Sequence, residues 1–332
     1  MIAQPLLEVR DLVVDYPVPN GRVRAVDHVS FDIQPGEIVG LAGESGCGKS
    51  TAAHAILRLL RPPARITSGR ILFQGQDLVT LSSAEMRRFR WNHISIVFQS
   101  AMNALNPVMT IGHQFGDTIR AHGETNAKVT RRRAAEMLRT VGIDPRHLNS
   151  YPHELSGGMR QRVVIAMALT LNPELIVMDE PTTALDVVVQ RDILQQIEDL
   201  QKKFGFAVLF ITHDLSLLVE FSRRIAIMYA AEIVEFAESR DLFRRPLHPY
   251  TAGLMSSFPS LTGPKSLLTG IPGAPPNLFS PPTGCRFHPR CRECRPIAVR
   301  VKPPLREIEP GHLVACHLYD GRPASGGESY GG

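Results

Sequence analysis

The sequence predicts an α/β fold built on a mostly parallel sheet, and two observations carry that prediction. A short apolar stretch at 37–42 leads directly into a glycine-rich loop at 43–50, which opens a helical pattern. Further along, the apolar stretches 175–178 and 206–212 are separated by a helical pattern over 187–204. Strand, helix and strand at this spacing indicate parallel strands that are joined by crossover helices.

The other elements follow in order along the 332 residues. Residues 6–16 and 23–33 have strand-like patterns, separated by turn-forming proline, asparagine and glycine. From about 99 to 170 helical patterns dominate, which indicates a helical insertion between two sheet-forming halves. Proline and glycine become dense over 258–284, where a separate extension is expected, and the small polar residues of 320–332 predict a disordered tail.

Composition and charge disfavour several classes of protein. The net charge is +5, and lysine and arginine are spread along the chain, so clusters such as 131–133 fit solvated helix faces better than a nucleic-acid surface. No apolar run is long enough to span a bilayer. The first residues lack the basic and then apolar pattern of a secretory signal. We therefore expect a cytosolic protein that reaches a membrane through a partner.

The loop at 43–50 matches the P-loop pattern at each fixed position, between a predicted strand and a predicted helix. Its glycines let the backbone wrap around phosphate so that N–H groups point inward, and the start of the helix adds partial positive charge. We expect Lys49 to bridge the β- and γ-phosphates and Ser50 to ligate Mg²⁺. The candidate nucleotide-binding residues of this loop are Gly43, Glu44, Ser45, Gly46, Cys47, Gly48, Lys49, Ser50 and Thr51.

An acidic pair, Asp179-Glu180, follows the apolar stretch 175–178. Open α/β sheets bind ligands at the carboxyl ends of their strands, so the pair is placed for the same nucleotide. We expect Asp179 to join the magnesium shell and Glu180 to polarise the attacking water. The alternative is that the pair caps the next helix.

Three single residues are further candidates. His213 follows the apolar stretch 206–212 and is expected at the same sheet edge, where it could sense the γ-phosphate. Gln99 follows a short strand-like stretch at 94–98 and is a candidate magnesium or water ligand. Tyr16 could stack on the base or serve as a core residue of its strand, and the residues alone leave both roles open.

A second glycine-rich string at 155–159, here called the signature string, opens another helical pattern. The start of a helix exposes backbone N–H groups that can bind an anion. One nucleotide does not obviously need two such sites, so the string predicts a chain that is half of a dimer. A helix cap without a ligand is the alternative. The candidate anion-binding residues are Ser156, Gly157, Gly158 and Met159.

With these motifs in order, residues 6–250 resemble the ATP-binding subunits of ABC transporters. The resemblance implies an ABC-type P-loop NTPase with a RecA-like, mostly parallel sheet core, an N-terminal antiparallel β part, a helical subdomain at about 100–165 and a C-terminal cysteine-containing extension. It implies ATP and Mg²⁺ as cofactors and Glu180 and His213 as catalytic residues. The signature string is implied to contact the γ-phosphate of the ATP that a second subunit holds.

The same resemblance implies roles for residues between these motifs. Tyr16 is implied to stack on adenine, Gln99 to sense the membrane partner, and Ala184-Leu185-Asp186 to form the D-loop. The implied magnesium ligands are Ser50, Gln99 and Asp179. Two nucleotides then hold two subunits together, and hydrolysis releases them.

Four strings are similar to the oligopeptide and dipeptide importer subfamily, namely 99–107, 156–162, 248–251 and 284–291. Met159 stands where glutamine is more usual in the wider family, and it fits this subfamily. The implied domains are an ATPase domain over 1–250, an importer-type extension over 251–319 and a tail over 320–332.

The implied function is ATP-driven energy coupling in a peptide importer. The implied partners are a second ATPase subunit in a heterodimer, two membrane-spanning permeases and, indirectly, an extracytoplasmic peptide-binding protein, with no nucleic acid. The chain would lie peripherally on the cytoplasmic face of the membrane. Two alternatives stay open: the same role in nickel or glutathione import, and a soluble ABC ATPase that acts on nucleic acid or ribosomes.

Four of the five cysteines lie close together near the end of the sequence, with a C-x2-C core. They are Cys285, Cys291, Cys294 and Cys316. In a cytosolic chain such a cluster favours a metal over disulfides, and thiolates suit zinc or an iron–sulfur cluster. Reduced structural cysteines are the alternative. The subfamily resemblance favours [4Fe–4S], although the family has a longer gap and a proline where Arg292 stands. Possible substitute ligands are His288, His312 and His317.

Overall fold

The computed structural model of the protein describes residues 4–98, 104–182, 186–256 and 270–321. The chain divides into two compact units. The first unit comprises Met1–Gln34, Ile38–Thr80 and Thr212–Gly332, and the second comprises Pro35–Glu37 and Leu81–Ile211. The P-loop candidate therefore belongs to the first unit, and the acidic pair and the signature string belong to the second.

The secondary structure alternates strands and helices for most of its length. The described strands are β1 (Leu7–Val18), β2 (Gly21–Ile33), β3 (Ile38–Ala42), β4 (Arg65–Phe73), β5 (Gln76–Asp77), β6 (Ile94–Val97), β7 (Leu175–Asp179), β8 (Ala207–Ile211), β9 (Arg224–Tyr229), β10 (Glu232–Glu238), β11 (Arg306–Glu309) and β12 (His312–Val314). The described α-helices are α1 (Lys49–Ile56), α2 (Ser83–Asn92), α3 (Ile111–Ala121), α4 (Ala127–Thr140), α5 (Gly157–Leu169), α6 (Val187–Phe204), α7 (Leu215–Phe221), α8 (Ser239–Arg244) and α9 (Pro249–Ser256).

An antiparallel sheet forms the N-terminal part of the first unit, with the strand order β2-β1-β4-β5. Strands β1 and β2 form a hairpin that turns at residues 19 and 20, and β2 begins at Gly21, whose φ of 144° favours glycine. Their register shifts between Val9 and Leu12, around Asp11 in a left-handed conformation, which marks a bulge. The predicted N-terminal antiparallel part is therefore confirmed.

A second sheet of the first unit leads into the P-loop. Strand β3 is buried along its whole length and pairs in parallel with β9, and β10, β12 and β11 follow in antiparallel order. The hairpin of β11 and β12 comes from the C-terminal extension, and its Val314 lies opposite Glu235 of β10. The extension therefore continues the sheet that carries the P-loop.

The second unit has a parallel sheet with the strand order β8-β7-β6. All residues of these three strands are buried, as expected for a sheet whose two faces are covered. Helix α6 connects β7 to β8 in sequence, begins after the Asp186 cap and ends at Gly205, whose φ is 75°. The parallel strands and the crossover helix that the sequence predicts are confirmed.

The helices α3, α4 and α5 form the helical part of the second unit. Each begins at a residue whose side chain accepts a hydrogen bond from the first turn: Thr110, Asn126 and Ser156. Their inward faces bury residues such as Phe115 and Leu138. Among the described residues, no helix is both long and apolar enough to cross a membrane.

Candidate nucleotide site

The P-loop candidate occupies the turn between β3 and α1. A Cβ atom added to Gly43 would lie 2.1 Å from the carbonyl oxygen of Met228, and one added to Gly48 would lie 2.1 Å from that of Ala25. The φ angles of these glycines, 154° and 111°, are also in the region that favours glycine. The two positions therefore need glycine because of both backbone conformation and close approach.

Lys49 is buried, and its ammonium lies within the loop. Its Nζ donates to the carbonyl oxygens of Gly43, at 2.8 Å, and Glu44, at 3.0 Å. A third contact joins Nζ to Sγ of Cys47, at 3.7 Å. Burial raises the pKa of the Cys47 thiol, in spite of the nearby lysine charge, so Cys47 is a neutral filler of the loop.

Tyr16 lies on β1, half-buried, with its hydroxyl 3.5 Å from Oγ1 of Thr51 in α1. Tyr16 is therefore partly accessible beside the start of the P-loop helix, and its role in base stacking stays a prediction. Ser50 and Thr51 are both partly buried in the first turn of that helix.

His213 lies in the first unit, just beyond the end of β8, and its side chain is exposed. The N–H of Thr212 donates to the carbonyl oxygen of Leu41, at 3.4 Å. The backbone before His213 therefore runs alongside the end of the strand that leads into the P-loop. The first unit thus brings Tyr16, the P-loop and the segment of His213 together.

Asp179 and Glu180 form the corresponding end of β7 in the second unit. Asp179 is buried, and the N–H of Glu180 donates to the carbonyl oxygen of Ile211 at the end of β8, at 2.9 Å. Glu180 has a φ of 47°, a left-handed conformation that is uncommon outside glycine and that turns the chain sharply after the strand. The cap of the next described helix, α6, is Asp186 and not the acidic pair, so the capping alternative fails.

The signature string begins α5 as the sequence predicts. The hydroxyl of Ser156 accepts a hydrogen bond from the N–H of Met159, at 3.3 Å, so this side chain caps the helix. A Cβ atom on Gly158 would lie 3.1 Å from Val189 of α6, so glycine also lets the two helices approach closely. The residues from Gly157 to Met159 are partly exposed.

Three predicted site residues fall outside the described part of the chain. They are Gln99, Ala184 and Leu185. Asp186 is described, and its Oδ1 accepts from the N–H of Val189, at 2.9 Å, as the cap of α6. Its expected role in the D-loop stays a prediction.

Two residues that the motif analysis missed hold the P-loop. The guanidinium of Arg290 forms a two-point ion pair with the carboxylate of Glu44, and the hydroxyl of Tyr250 accepts a hydrogen bond from the N–H of Glu44. Both residues lie in strings that carry the importer resemblance, 248–251 and 284–291. The importer-like strings were the signal in the sequence that pointed to these two residues. The contacts themselves join residues 206 and 246 positions apart, so no local pattern indicates them.

The four candidate metal-binding cysteines line one small cavity of about 20 Å³. All four are free thiols, and burial raises the pKa of Cys285 and of Cys316 to about 11. Within the described ranges, no three His, Cys, Asp or Glu side chains are arranged to hold a metal ion. The donor chemistry therefore fits zinc or an iron–sulfur cluster, while the side-chain arrangement does not form a ligand set.

Of the histidines considered as substitute ligands, His288 and His317 line the same cavity as the cysteines, and Nδ1 of His288 lies 2.9 Å from the carbonyl oxygen of Cys285. Both ring nitrogens of His317 have partners, with Nδ1 2.7 Å from Asp320 and Nε2 2.8 Å from the carbonyl oxygen of Val301. Nε2 of His312 lies 2.7 Å from the carboxylate of Glu235. Both ring nitrogens of His317 are thus engaged in this structure, and the role of these histidines as substitute ligands stays a prediction.

Two family descriptions match the sequence. Residues 26–183 match the ABC transporter family, and residues 234–297 match the C-terminal region of oligopeptide/dipeptide transporters. The second match begins within β10 and includes both Tyr250 and Arg290.

Curated relatives are similar along nearly the whole chain. A probable peptide ABC transporter ATP-binding protein of Sinorhizobium fredii is 48% identical over 95% of each chain. The dipeptide transport ATP-binding protein DppD of Bacillus subtilis is 45% identical over 96% of each chain. The oligopeptide transport ATP-binding protein OppD of Escherichia coli is 40% identical over 95% of this chain and 93% of its own.

Among solved structures, the ATP-binding cassette MJ0796, a dimer bound to ADP and Pi, is similar with a TM-score of 0.63 and 30% identity. The match covers 70% of this chain and 99% of that one. The chain therefore belongs to the ABC transporter ATPases, in the group whose ATP-binding domain is followed by the oligopeptide/dipeptide transporter C-terminal region.

Proposed function

We propose that this protein is the ATP-hydrolysing, energy-coupling subunit of an importer for dipeptides or oligopeptides. The main support for this proposal is sequence similarity. Along nearly the full chain, the protein is 40–48% identical to ATP-binding subunits named for peptide, dipeptide or oligopeptide transport. The matching C-terminal region supports the same substrate class. These similarities favour transport over the soluble ATPase considered from the sequence.

Uptake of a labelled dipeptide by cells that lack this chain tests the transport proposal. The unaltered gene should restore uptake, and a Lys49→Ala gene should not, because Lys49 is the proposed phosphate-binding residue. Nickel and glutathione uptake are measured in the same cells. Restored nickel or glutathione uptake without peptide uptake would overturn the substrate assignment and leave the ATPase assignment intact.

We infer that ATP binds with its phosphates in the loop of residues 43–50 and its adenine against Tyr16. In this proposal, Lys49 exchanges its hydrogen bonds to the carbonyl oxygens of Gly43 and Glu44 for bonds to phosphate oxygens. The half-buried ring of Tyr16 near Thr51 supports the stacking role. The proposed magnesium ligands are Ser50, Asp179 and Gln99, and a bound Mg²⁺ would neutralise charge on the phosphates.

Glu180 is the proposed residue that polarises the attacking water, and His213 the proposed sensor of the γ-phosphate. The support for different roles is positional: Asp179 is buried at the end of β7, and the left-handed turn at Glu180 follows directly. A Glu180→Gln protein should keep its affinity for ATP and lose about 10²–10⁴-fold in hydrolysis rate. Undiminished turnover in that variant would remove Glu180 from the proposed role.

The proposed working assembly has two ATPase subunits and two permeases at the cytoplasmic face of the membrane, with an extracytoplasmic peptide-binding protein delivering the peptide. The residues from Ser156 to Met159 would contact the ATP held by the other ATPase subunit, expected to be a different chain. The partial exposure of this helix start and the dimer of the related cassette support the arrangement. Mass measurement of the purified transporter checks its composition.

We propose that the four cysteines of the extension hold a [4Fe–4S] cluster, with zinc as the alternative. The support is chemical: four thiols line one cavity, and thiolate sulfur is the ligand set of both groups. An absorption spectrum and metal analysis of anaerobically purified protein separate the two groups. Zinc in a colourless protein would replace the iron–sulfur proposal, and metal-free protein would overturn both.

A further inference from the structure

The C-terminal extension reaches the P-loop at Glu44. Nη1 of Arg290 donates to Oε2 of Glu44, at 2.7 Å, and Nη2 donates to Oε1, at 3.0 Å. Parallel pairing of a guanidinium with a carboxylate is a strong and geometrically specific interaction. The Arg290 side chain is only 6% exposed and that of Glu44 25%, so solvent screens the pair little.

Arg290 is itself held in place on its other sides. Its Nε donates to the carbonyl oxygen of Pro272, at 2.8 Å, and Nη1 also lies 3.4 Å from the hydroxyl of Tyr229. The guanidinium lies 5.8 Å from the centre of the Tyr229 ring. Each nitrogen of the guanidinium has a partner, so the orientation of the Arg290 guanidinium that faces Glu44 is fixed.

The backbone of Glu44 is held at both of its polar atoms. Its N–H donates to the hydroxyl of Tyr250, at 3.0 Å, and its carbonyl oxygen accepts from Nζ of Lys49, at 3.0 Å. The Tyr250 ring is fully buried and lies against Tyr229 and Phe287, at ring-centre distances of 4.5 and 5.4 Å. Glu44 is thus held by two residues outside the loop, and these contacts do not depend on Lys49, which would turn to the phosphates when ATP binds.

We propose that Arg290 and Tyr250 are positioning residues for ATP binding, which fix Glu44 and so set the P-loop backbone that receives the phosphates. This inference rests on the proposed role of residues 43–50 as the ATP site. It makes the C-terminal extension a support of the nucleotide site, in addition to any role of its cysteines.

A merely structural anchor would behave differently from a positioning residue. Loss of an anchor lowers the stability of the protein, whereas loss of a positioning residue also lowers its affinity for ATP. The first unit offers a matched control in the two-point ion pair of Arg224 with Asp32, at 3.1 and 2.8 Å and with side chains 19% and 17% exposed. That pair lies at the start of β9, beside Val39, at the opposite end of β3 from the P-loop.

The experiment compares the affinity of the full chain for MgATP, measured by titration with a fluorescent ATP analogue, in Arg290→Gln and Arg224→Gln. Melting temperatures are recorded for both. We expect affinity to fall about tenfold in Arg290→Gln, because small displacements of a binding site are costly, and less than about twofold in Arg224→Gln. Glu44→Gln should weaken binding to a similar extent. The double variant Arg290→Gln with Glu44→Gln should bind ATP no more weakly than either single variant, because each substitution removes the same ion pair.

A Tyr250→Phe variant keeps the buried ring and removes only the hydroxyl, so it tests the proposal if Arg290→Gln does not fold. It should also weaken ATP binding. Unchanged affinity in folded Arg290→Gln, equal weakening in Arg224→Gln, or additive losses in the double variant would overturn the proposal. If Lys49→Ala retains ATP affinity, the proposed ATP site fails. If Lys49→Ala loses affinity while Arg290→Gln and Tyr250→Phe keep it, only this inference fails.

Discussion

Replacement of Glu235 tests how firmly the C-terminal extension is attached to the sheet of the first unit. Its side chain is 0% exposed, and its Oε1 accepts from the N–H of Leu247, at 2.7 Å, and lies 2.7 Å from Nε2 of His312. Oε2 accepts from the N–H of His248, at 3.0 Å. In Glu235→Gln, the NH₂ group of the amide takes the place of one of the two carboxylate oxygens. In either orientation it therefore faces a backbone N–H, that of Leu247 or that of His248, which then has no acceptor.

A buried N–H that loses its acceptor costs about 1–3 kcal/mol, so we expect the free energy of unfolding to fall by about 2 kcal/mol. Urea unfolding followed by circular dichroism measures this change. The control is Glu238→Gln, an exposed carboxylate on the same strand, which should change stability by less than about 0.5 kcal/mol. Equal losses in the two variants, or no loss in Glu235→Gln, would refute the reasoning.

Two further predictions concern the P-loop and a buried ion pair. Gly48→Ala should abolish ATP binding, because its Cβ would meet a backbone oxygen at 2.1 Å. A Cβ at Gly46 meets no described atom within 4 Å, so Gly46→Ala should bind ATP and lose only about 1–2 kcal/mol of stability through backbone strain. Equal ATP affinity in the two variants would contradict this. Burial alone would raise the pKa of Asp27, but Lys302, Arg286 and Arg24 lower that pKa to about 2. Its stabilising contribution is therefore present above about pH 3.8 and lost as the pH falls through 2. In Asp27→Asn, the midpoint of urea unfolding should depend less on pH over that range.

Elements with a strong local pattern were predictable from the sequence. Strands β3 and β8 are continuous apolar runs, and β7 is apolar up to its last residue, Asp179. The predicted helix at 187–204 is α6, bounded by Asp186 and Gly205. The P-loop and the signature string were recognised because their chemistry requires particular residues at short spacing.

Elements that depend on distant partners were not predicted. Strand β4 has mostly exposed or half-buried residues and no clear alternation, and it forms because Leu7 to Asp15 of β1 pair with it. The short β11 and β12 likewise depend on β10. The supports of Glu44 belong to the same class, since Tyr250 and Arg290 reach it across more than 200 residues of sequence.

The pairing of β12 with β10 has a consequence for any shortened form of this chain. A chain cut near residue 250 would lose β12, and β10 would present unpaired N–H and C=O groups along its edge. Such an edge is a template for pairing with another chain, which leads to aggregation. In the full chain, the hairpin of the extension covers this edge of β10 at Glu235 and Phe236. A fragment that holds every nucleotide motif would still be prone to precipitate.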